Sequence, residues 1–480
     1  MEIKQRALHA VKWTSISTVL SQIITLIISI VKFRLLEVEV FGIMAIVTAI
    51  ISIMRMVQTI GFGPAIVQKE TISDTFVNSV FWVVLCISLL LSTCLILLSD
   101  WISSFYNIEI LSKLLLIGSV QFVFSSLIIV QNSLLGRDLK FKIIGLIGLC
   151  STIGEGLIII CFALNSYGIW SIVFGSIGSS IITFCFYLKY VKWFPSFVFS
   201  LDAIKPSMGF GFNLTLNKFI GIIKLNAPQL IIGKFLGAEI LGLYSFAKNI
   251  ILQIINNIDA MVSQVLFPMF SRLQNDKTKL VKGYLKVNHY NFLLSIPILA
   301  GYIFIATDLV SIVYGQKWLA AITISQILLI SIIVNSIYTK GSSLITGGLG
   351  RPDLLLKIDL FLFVPLLFAL IITVQYSIIY LAIAVVVERC IAFTAQQIII
   401  KREINFKFRM FLKSMQAPFV ASIIMLMVLS ILEPFAPKTT YPKLSLVGLI
   451  ISGGFTYFLC VLWLDRKELI STIKLLFQAK

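Results

Sequence analysis

Leu36-Glu37-Val38-Glu39-Val40-Phe41-Gly42 and, 200 residues further on, Leu236-Gly237-Ala238-Glu239-Ile240-Leu241-Gly242 share the spacing Leu-x-x-Glu-x-x-Gly. Two more landmarks follow each copy in the same order. Asp100-x-x-Ser103-x-x-Tyr106 returns as Asp308-x-x-Ser311-x-x-Tyr314. Leu135-Gly136-Arg137-Asp138 returns as Leu349-Gly350-Arg351-Pro352-Asp353. Each match alone is weak, but three in one order describe a chain built from two copies of one unit.

The residues between the landmarks say what that unit is. The chain has 480 residues, 59% of them hydrophobic and 12% charged, with a mean hydropathy of +1.01. Soluble domains average about 45–50% apolar and about 25% charged residues. So little charge cannot cover a water-facing surface. A soluble enzyme, a nucleic-acid-binding domain and a disordered chain are therefore excluded, and the fold class is all-α polytopic membrane protein. A helix needs about 20 apolar residues to cross the hydrocarbon. Such runs cover 13–31, 41–61, 76–98, 113–134, 143–164, 170–188, 210–232, 241–264, 288–307, 320–340, 358–375, 378–400, 416–432 and 444–463, giving about 14 transmembrane helices.

The landmarks fall after helices 1 and 7, 3 and 9, and 4 and 10, so the unit is six helices. Six is even, which makes the repeats parallel, the arrangement of secondary transporters that bind substrate between two halves. The expected domains are residues 1–200, 201–408, and 409–480, the last carrying two extra helices, 13 and 14, and a tail.

The net charge of +18 then reports topology. With the N-terminus inside, 26 basic residues fall in inside segments and 7 in outside ones, Lys32 and Arg34 among the latter. The positive-inside rule places both termini in the cytoplasm. The remaining basic residues lie within or at the end of spans, where Lys or Arg at the bilayer centre costs about 2.5–3.5 kcal/mol and marks a functional candidate. They are Arg55, Lys218, Lys224, Lys248 and Arg389, with Lys340 ending helix 10. The deep acidic residues Glu155, Asp259 and Glu388 are the candidates for ion coupling by protons or sodium; membrane potential is the other energy source.

Residues three and four apart share a helix face. Ser15, Thr18, Gln22, Thr25 and Ser29 form a stripe on helix 1, and Thr48, Ser52, Arg55 and Thr59 form one on helix 2. Asn213, Asn217 and Lys224 align on helix 7, and Ser245, Lys248 or Asn249, Asn256 and Asp259 on helix 8. Such stripes would enclose one cavity, net cationic and suited to an anionic ligand. Plainer roles compete: hydroxyls bond their own helix backbone, Lys218 can snorkel to headgroups, and Arg389 can pair with Glu388 or Glu155. No GxxxxGK[ST] loop occurs, the only histidines are His9 and His289, and the seven cysteines lie in apolar runs. No metal site and no cofactor are expected.

Further motifs run through most of the chain: Arg34-Leu35-Leu36 leading to Phe41-Gly42, Gly61-Phe62-Gly63 with Val67-Gln68, Asn78-x-x-Phe81-Trp82, and Gly315-Gln316-Lys317-Trp318. With these the chain resembles the Wzx-like polysaccharide exporters and lipid-linked oligosaccharide flippases of the multidrug/oligosaccharidyl-lipid/polysaccharide exporter superfamily. Within that group it is most similar to the colanic-acid and teichuronic-acid type. The resemblance implies two six-helix bundles forming a V plus two further helices, and no enzymatic activity. It also implies movement of an undecaprenyl-pyrophosphate-linked oligosaccharide across the bacterial inner membrane, with basic cavity residues holding pyrophosphate or acidic sugars. The partners it implies are membrane lipids and other polysaccharide assembly proteins, not nucleic acid, and the chain is expected to be a monomer. A multidrug or cation antiporter of the same superfamily would want a carboxylate-rich cavity. A polysaccharide polymerase or ligase would want a large external loop.

Overall fold

The computed structural model describes the backbone of residues 2–466 apart from 60, 61, 70, 275 and 437–440; side chains at 2–16, 59, 62, 64, 68, 206–218, 254, 256–265, 267 and 268 lie outside the description. Among the described residues there are helices and no strands. In chain order they are α1 (Glu2–Leu35), α2 (Val38–Thr59), the short α3 (Phe62–Gln68), α4 (Asp74–Tyr106), α5 (Ile110–Arg137), α6 (Phe141–Leu164), α7 (Ile169–Tyr190) and α8 (Leu201–Phe235). Then follow α9 (Gly237–Leu273), α10 (Lys277–Leu309), α11 (Ile322–Ser343), α12 (Pro352–Val374), α13 (Ile378–Ile404), α14 (Phe408–Leu432) and α15 (Pro442–Leu464).

Twelve stretches of described residues are long and apolar enough to cross a membrane. The helices α8 and α9, with 35 and 37 residues, have the length to add two more. The chain is a multi-pass membrane protein. Its helix ends are set locally. The Ser73 hydroxyl accepts the Phe76 N–H at 3.2 Å and starts α4, and Asn107 in the left-handed region (φ 57°) stops it. Gly237 at φ 82° lets α9 begin with only Leu236 between it and the end of α8, a backbone turn that a side chain would strain. Asp276 caps α10: the Lys279 backbone N–H bonds its carboxylate, which holds that carboxyl below the usual carboxylate range.

The chain divides into two compact units, Met1–Ser245 with Leu370–Ile378, and Phe246–Ala369 with Ile379–Lys480. In the first, α4 packs on α5, α6 on α7 and α1, and α2 on α8 and α5. Phe76, Val80 and Val84 of α4 meet Val130 of α5 and Ile204 of α8 in one buried cluster. Gln58 stitches three helices, its amide donating to Ser88 Oγ of α4 at 2.7 Å and to the Phe122 carbonyl of α5 at 2.8 Å.

In the second unit α10 packs on α14 and α11, and α14 on α15. His289 of α10 lies 2.8 Å from the Ser414 carbonyl through Nδ1 and 2.5 Å from Asp465 Oδ2 through Nε2, joining α10, α14 and the end of α15. Lys340 is fully buried, and its ammonium donates to Asn291 Oδ1 at 2.9 Å and to the Ser336 hydroxyl.

The repeated glycines meet inside the first unit. A Cβ on Gly42 would overlap the Ala238 carbonyl, and a Cβ on Gly242 would overlap the Val38 carbonyl. Each glycine thus touches the residue four positions before the other, so the contact maps onto itself under the 200-residue shift. The sequence repeat is a spatial repeat at this crossing, and only glycine lets the two backbones approach so closely.

Gly42→Leu is expected to lower the folded, monodisperse fraction and the melting temperature of the purified protein, overpacking of this kind costing about 1–3 kcal/mol or more. Gly148→Leu is the control, because a Cβ there meets nothing within 4 Å.

Candidate functional site

A cavity of about 660 Å³ lies within the first unit, walled by α1, α2, α5, α6, α7 and α8. Helix α2 supplies most of its wall, because its helical spacing brings Thr48, Ser52 and Arg55 to the same side as Met44, Val47 and Ile51. Lys32 enters from α1, Gln121 from α5, Glu155 from α6 and Ser176 from α7.

These groups are organised by hydrogen bonds. Arg55 Nη2 donates to Gln121 Oε1 at 3.1 Å, and Gln121 Nε2 donates to Ser176 Oγ at 3.0 Å. That chain fixes the amide orientation of Gln121 and aims the guanidinium. A guanidinium has five donors in a planar fork, and the exposed Arg55 presents its fork to the cavity. Ser52 accepts from Asn226 Nδ2 at 3.2 Å, while its own hydroxyl proton goes to the Ala49 carbonyl at 2.9 Å. Thr48 donates to the Met44 carbonyl at 2.8 Å.

Two cations, Lys32 and Arg55, and one carboxylate, Glu155, leave a net charge of +1 on the lining. In a cleft with apolar walls such a charge focuses the field and concentrates anions. Hydroxyls and a side-chain amide beside it suit neutral polar groups on the same ligand.

The structure brings Arg55, Ser52 and Glu155 from the sequence reading to one cavity and adds Lys32, Gln121 and Ser176. Lys32 was expected in an outer loop, but α1 continues through Leu35 and makes it a helical residue. The signal was present: the helix 1 stripe ends at Thr25 and Ser29, and one further step of three is Lys32. Thr25 and Ser29 donate to the Ser21 and Leu26 carbonyls at 2.8 Å, and Gln22 is half-buried outside the lining.

Lys224 is buried in α8 and is not among the lining residues. Lys248 lies in α9 within the second unit, half-buried beside the exposed Asn249. Arg389 and Glu388 sit together in the second unit, 3.7 Å apart, with the Arg389 guanidinium 5.6 Å from the Tyr338 ring centroid. Asn213, Asn217, Lys218, Asn256 and Asp259 fall outside the described side chains.

These features define a multi-pass helical membrane protein with a charged cavity enclosed by its helices. The chain belongs to the family described as "Polysaccharide biosynthesis protein", which matches residues 31–323. It is 28% identical over 366 residues to the teichuronic acid biosynthesis protein TuaB of Bacillus subtilis (strain 168), covering 73% of each chain. It is 25% identical over 374 residues to the lipopolysaccharide biosynthesis protein WzxC of Escherichia coli (strain K12), covering 76% of this chain and 75% of that one. Among solved structures it shares a fold with the lipid II flippase MurJ in an inward closed conformation, with a TM-score of 0.77, 19% identity, and 95% and 99% of the two chains covered. An inward-facing multidrug resistance MATE family transporter of the MOP superfamily is similar at a TM-score of 0.60 and 14% identity, over 80% of this chain and 95% of that one.

A cysteine placed at Thr48 in a background without native cysteines reads the cavity potential directly. An anionic methanethiosulfonate should react roughly tenfold faster than a cationic one of equal size. Lys32→Gln should shrink that ratio and Glu155→Gln should enlarge it, as measured by stopped modification and mass spectrometry.

Proposed function

We propose that the cavity around Lys32 and Arg55 receives the anionic headgroup of a lipid-linked oligosaccharide, and that the protein carries this lipid from the cytoplasmic to the outer leaflet of a bacterial inner membrane. The observation that carries the reading is one cavity, walled by apolar helices, whose lining holds two cations, Lys32 and Arg55, together with hydroxyl and amide groups. A pyrophosphate and several sugars cannot cross about 30 Å of hydrocarbon unaided. Fixed cations and hydroxyls stand in for water around the headgroup, while a polyprenyl tail stays in lipid. The family is one of polysaccharide biosynthesis, and TuaB and WzxC are named for teichuronic acid and lipopolysaccharide biosynthesis, which supports a polysaccharide building block as the cargo.

The cycle is alternating access: the cavity opens to one face, takes the headgroup, and reopens to the other. The role is transport, not bond-making. Glu155 is the coupling candidate inside the cavity, where its carboxylate offsets one of the two cationic charges when no substrate is bound. Both termini are cytoplasmic in this reading. A cationic drug would meet two like charges here and one carboxylate, which disfavours the antiporter.

Arg55→Ala and Lys32→Ala are each expected to cut surface polysaccharide about tenfold, the value of one charge-assisted hydrogen bond, without lowering protein level. Arg55→Lys should retain most export. Deletion of the gene should leave the lipid-linked repeat unit in the cytoplasmic leaflet. Normal export by both alanine variants would contradict the assignment.

A further inference from the structure

The segment Val191–Ser200, Val-Lys-Trp-Phe-Pro-Ser-Phe-Val-Phe-Ser, joins α7 to α8 without helix. It is strapped to the beginning of α4. Asn78 Oδ1 accepts the Ser196 N–H at 2.7 Å, Ser79 Oγ accepts the Ser200 N–H at 2.8 Å, and Trp82 Nε1 donates to the Ser196 carbonyl at 2.8 Å. Trp82 also stacks on Phe197, with centroids 5.1 Å apart and planes inclined by 23°.

Between strap and helix lies a second cavity of about 460 Å³, lined by Trp82, Cys86, Ile87 and Leu90 of α4 and by Phe197 and Phe199 of the strap. It is almost wholly apolar. It also lies apart from the charged cavity: Val80, Val84 and Ser88 turn the other face of α4 inward, where Ser88 bonds Gln58. Trp82, Cys86 and Leu90, spaced by four, run along α4 for about 12 Å at about 1.5 Å per residue.

The same outer face continues to Leu97, which is 75% exposed. On a membrane-spanning helix such a face lies in hydrocarbon. The strap has the composition of the headgroup region, with exposed Phe194 and Phe197, and exposed lysines flank its start, Lys189 in the last turn of α7 and Lys192 in the strap itself.

We propose that this groove binds one acyl chain of an anionic phospholipid of the cytoplasmic leaflet, with the lipid headgroup against Lys189 and Lys192. The ligand is a resident bilayer lipid and not the transported one, because the body of α4 separates the groove from the charged cavity. The strap between α7 and α8 is thereby held by protein on one side and by lipid on the other.

The full chain, reconstituted in phosphatidylcholine vesicles, tests this with trace lipids brominated on the acyl chain. Trp82 fluorescence is taken as the difference between wild type and Trp82→Phe. Brominated phosphatidylglycerol should quench that component about fivefold or more better than brominated phosphatidylcholine, as two lysines facing an anionic headgroup require. The Lys189→Gln, Lys192→Gln double variant should lose the preference, and Leu90→Phe should weaken quenching by both lipids. Equal quenching of the wild type by the two lipids would overturn the proposal. So would displacement of the brominated lipid by a polyprenyl phosphate at lower concentration than by unlabelled phosphatidylglycerol, which would make the groove a seat for the substrate tail.

Discussion

A charged side chain inside a bilayer is expensive, about 2.5–3.5 kcal/mol for Lys, Arg or Asp near the helix centre on insertion scales. The first unit answers that constraint by gathering Lys32, Arg55 and Glu155 around one space. The rest of the site follows from holding them there. Gln121 and Ser176 aim the Arg55 fork, Asn226 fastens α8 to Ser52, and Gln58 ties α2 to α4 and α5 one turn beyond Arg55. In the proposed function, such an arrangement gives an anionic group a place that lipid denies it.

The second unit spends its polar groups differently. Lys340 is fully buried and delivers its protons to Asn291 and Ser336, Gln397 donates to the Tyr284 hydroxyl at 2.8 Å, and His289 joins three helices. Buried polar networks of this kind hold helices in one arrangement, since a broken member leaves an unsatisfied group in a low-dielectric interior. Arg389 and Glu388 lie together in that same unit.

The fold was legible because membrane helices announce themselves by length and hydropathy and because the repeat kept its landmarks. Gly42 and Gly242 are readable as a pair only through the repeat, yet each is there because the other's helix leaves no room for a Cβ. The α2 stripe was readable from spacing, and Thr48, Ser52 and Arg55 do share a wall. Gln121 and Ser176 were not readable, because serines accompany each in sequence, Ser119, Ser125 and Ser126 around Gln121 and Ser179 and Ser180 after Ser176, and which of them faces a cavity is set by neighbouring helices. The helix 1 hydroxyls are the opposite case: their spacing is regular, but Thr25 and Ser29 donate to their own helix backbone, and among the described residues of that series only Lys32 at its end reaches the cavity.

The central claim is that this chain alone moves a pyrophosphate-linked lipid through a cavity governed by Lys32 and Arg55. The most direct measurement places the purified protein in vesicles loaded with such a lipid on one face and follows its appearance on the other with an impermeant sugar-oxidising reagent. The account predicts transfer well above that of protein-free vesicles, and its loss when Lys32 and Arg55 are both replaced by glutamine in a protein that still folds. Transfer that matches protein-free vesicles, or that survives the double replacement unchanged, would contradict it.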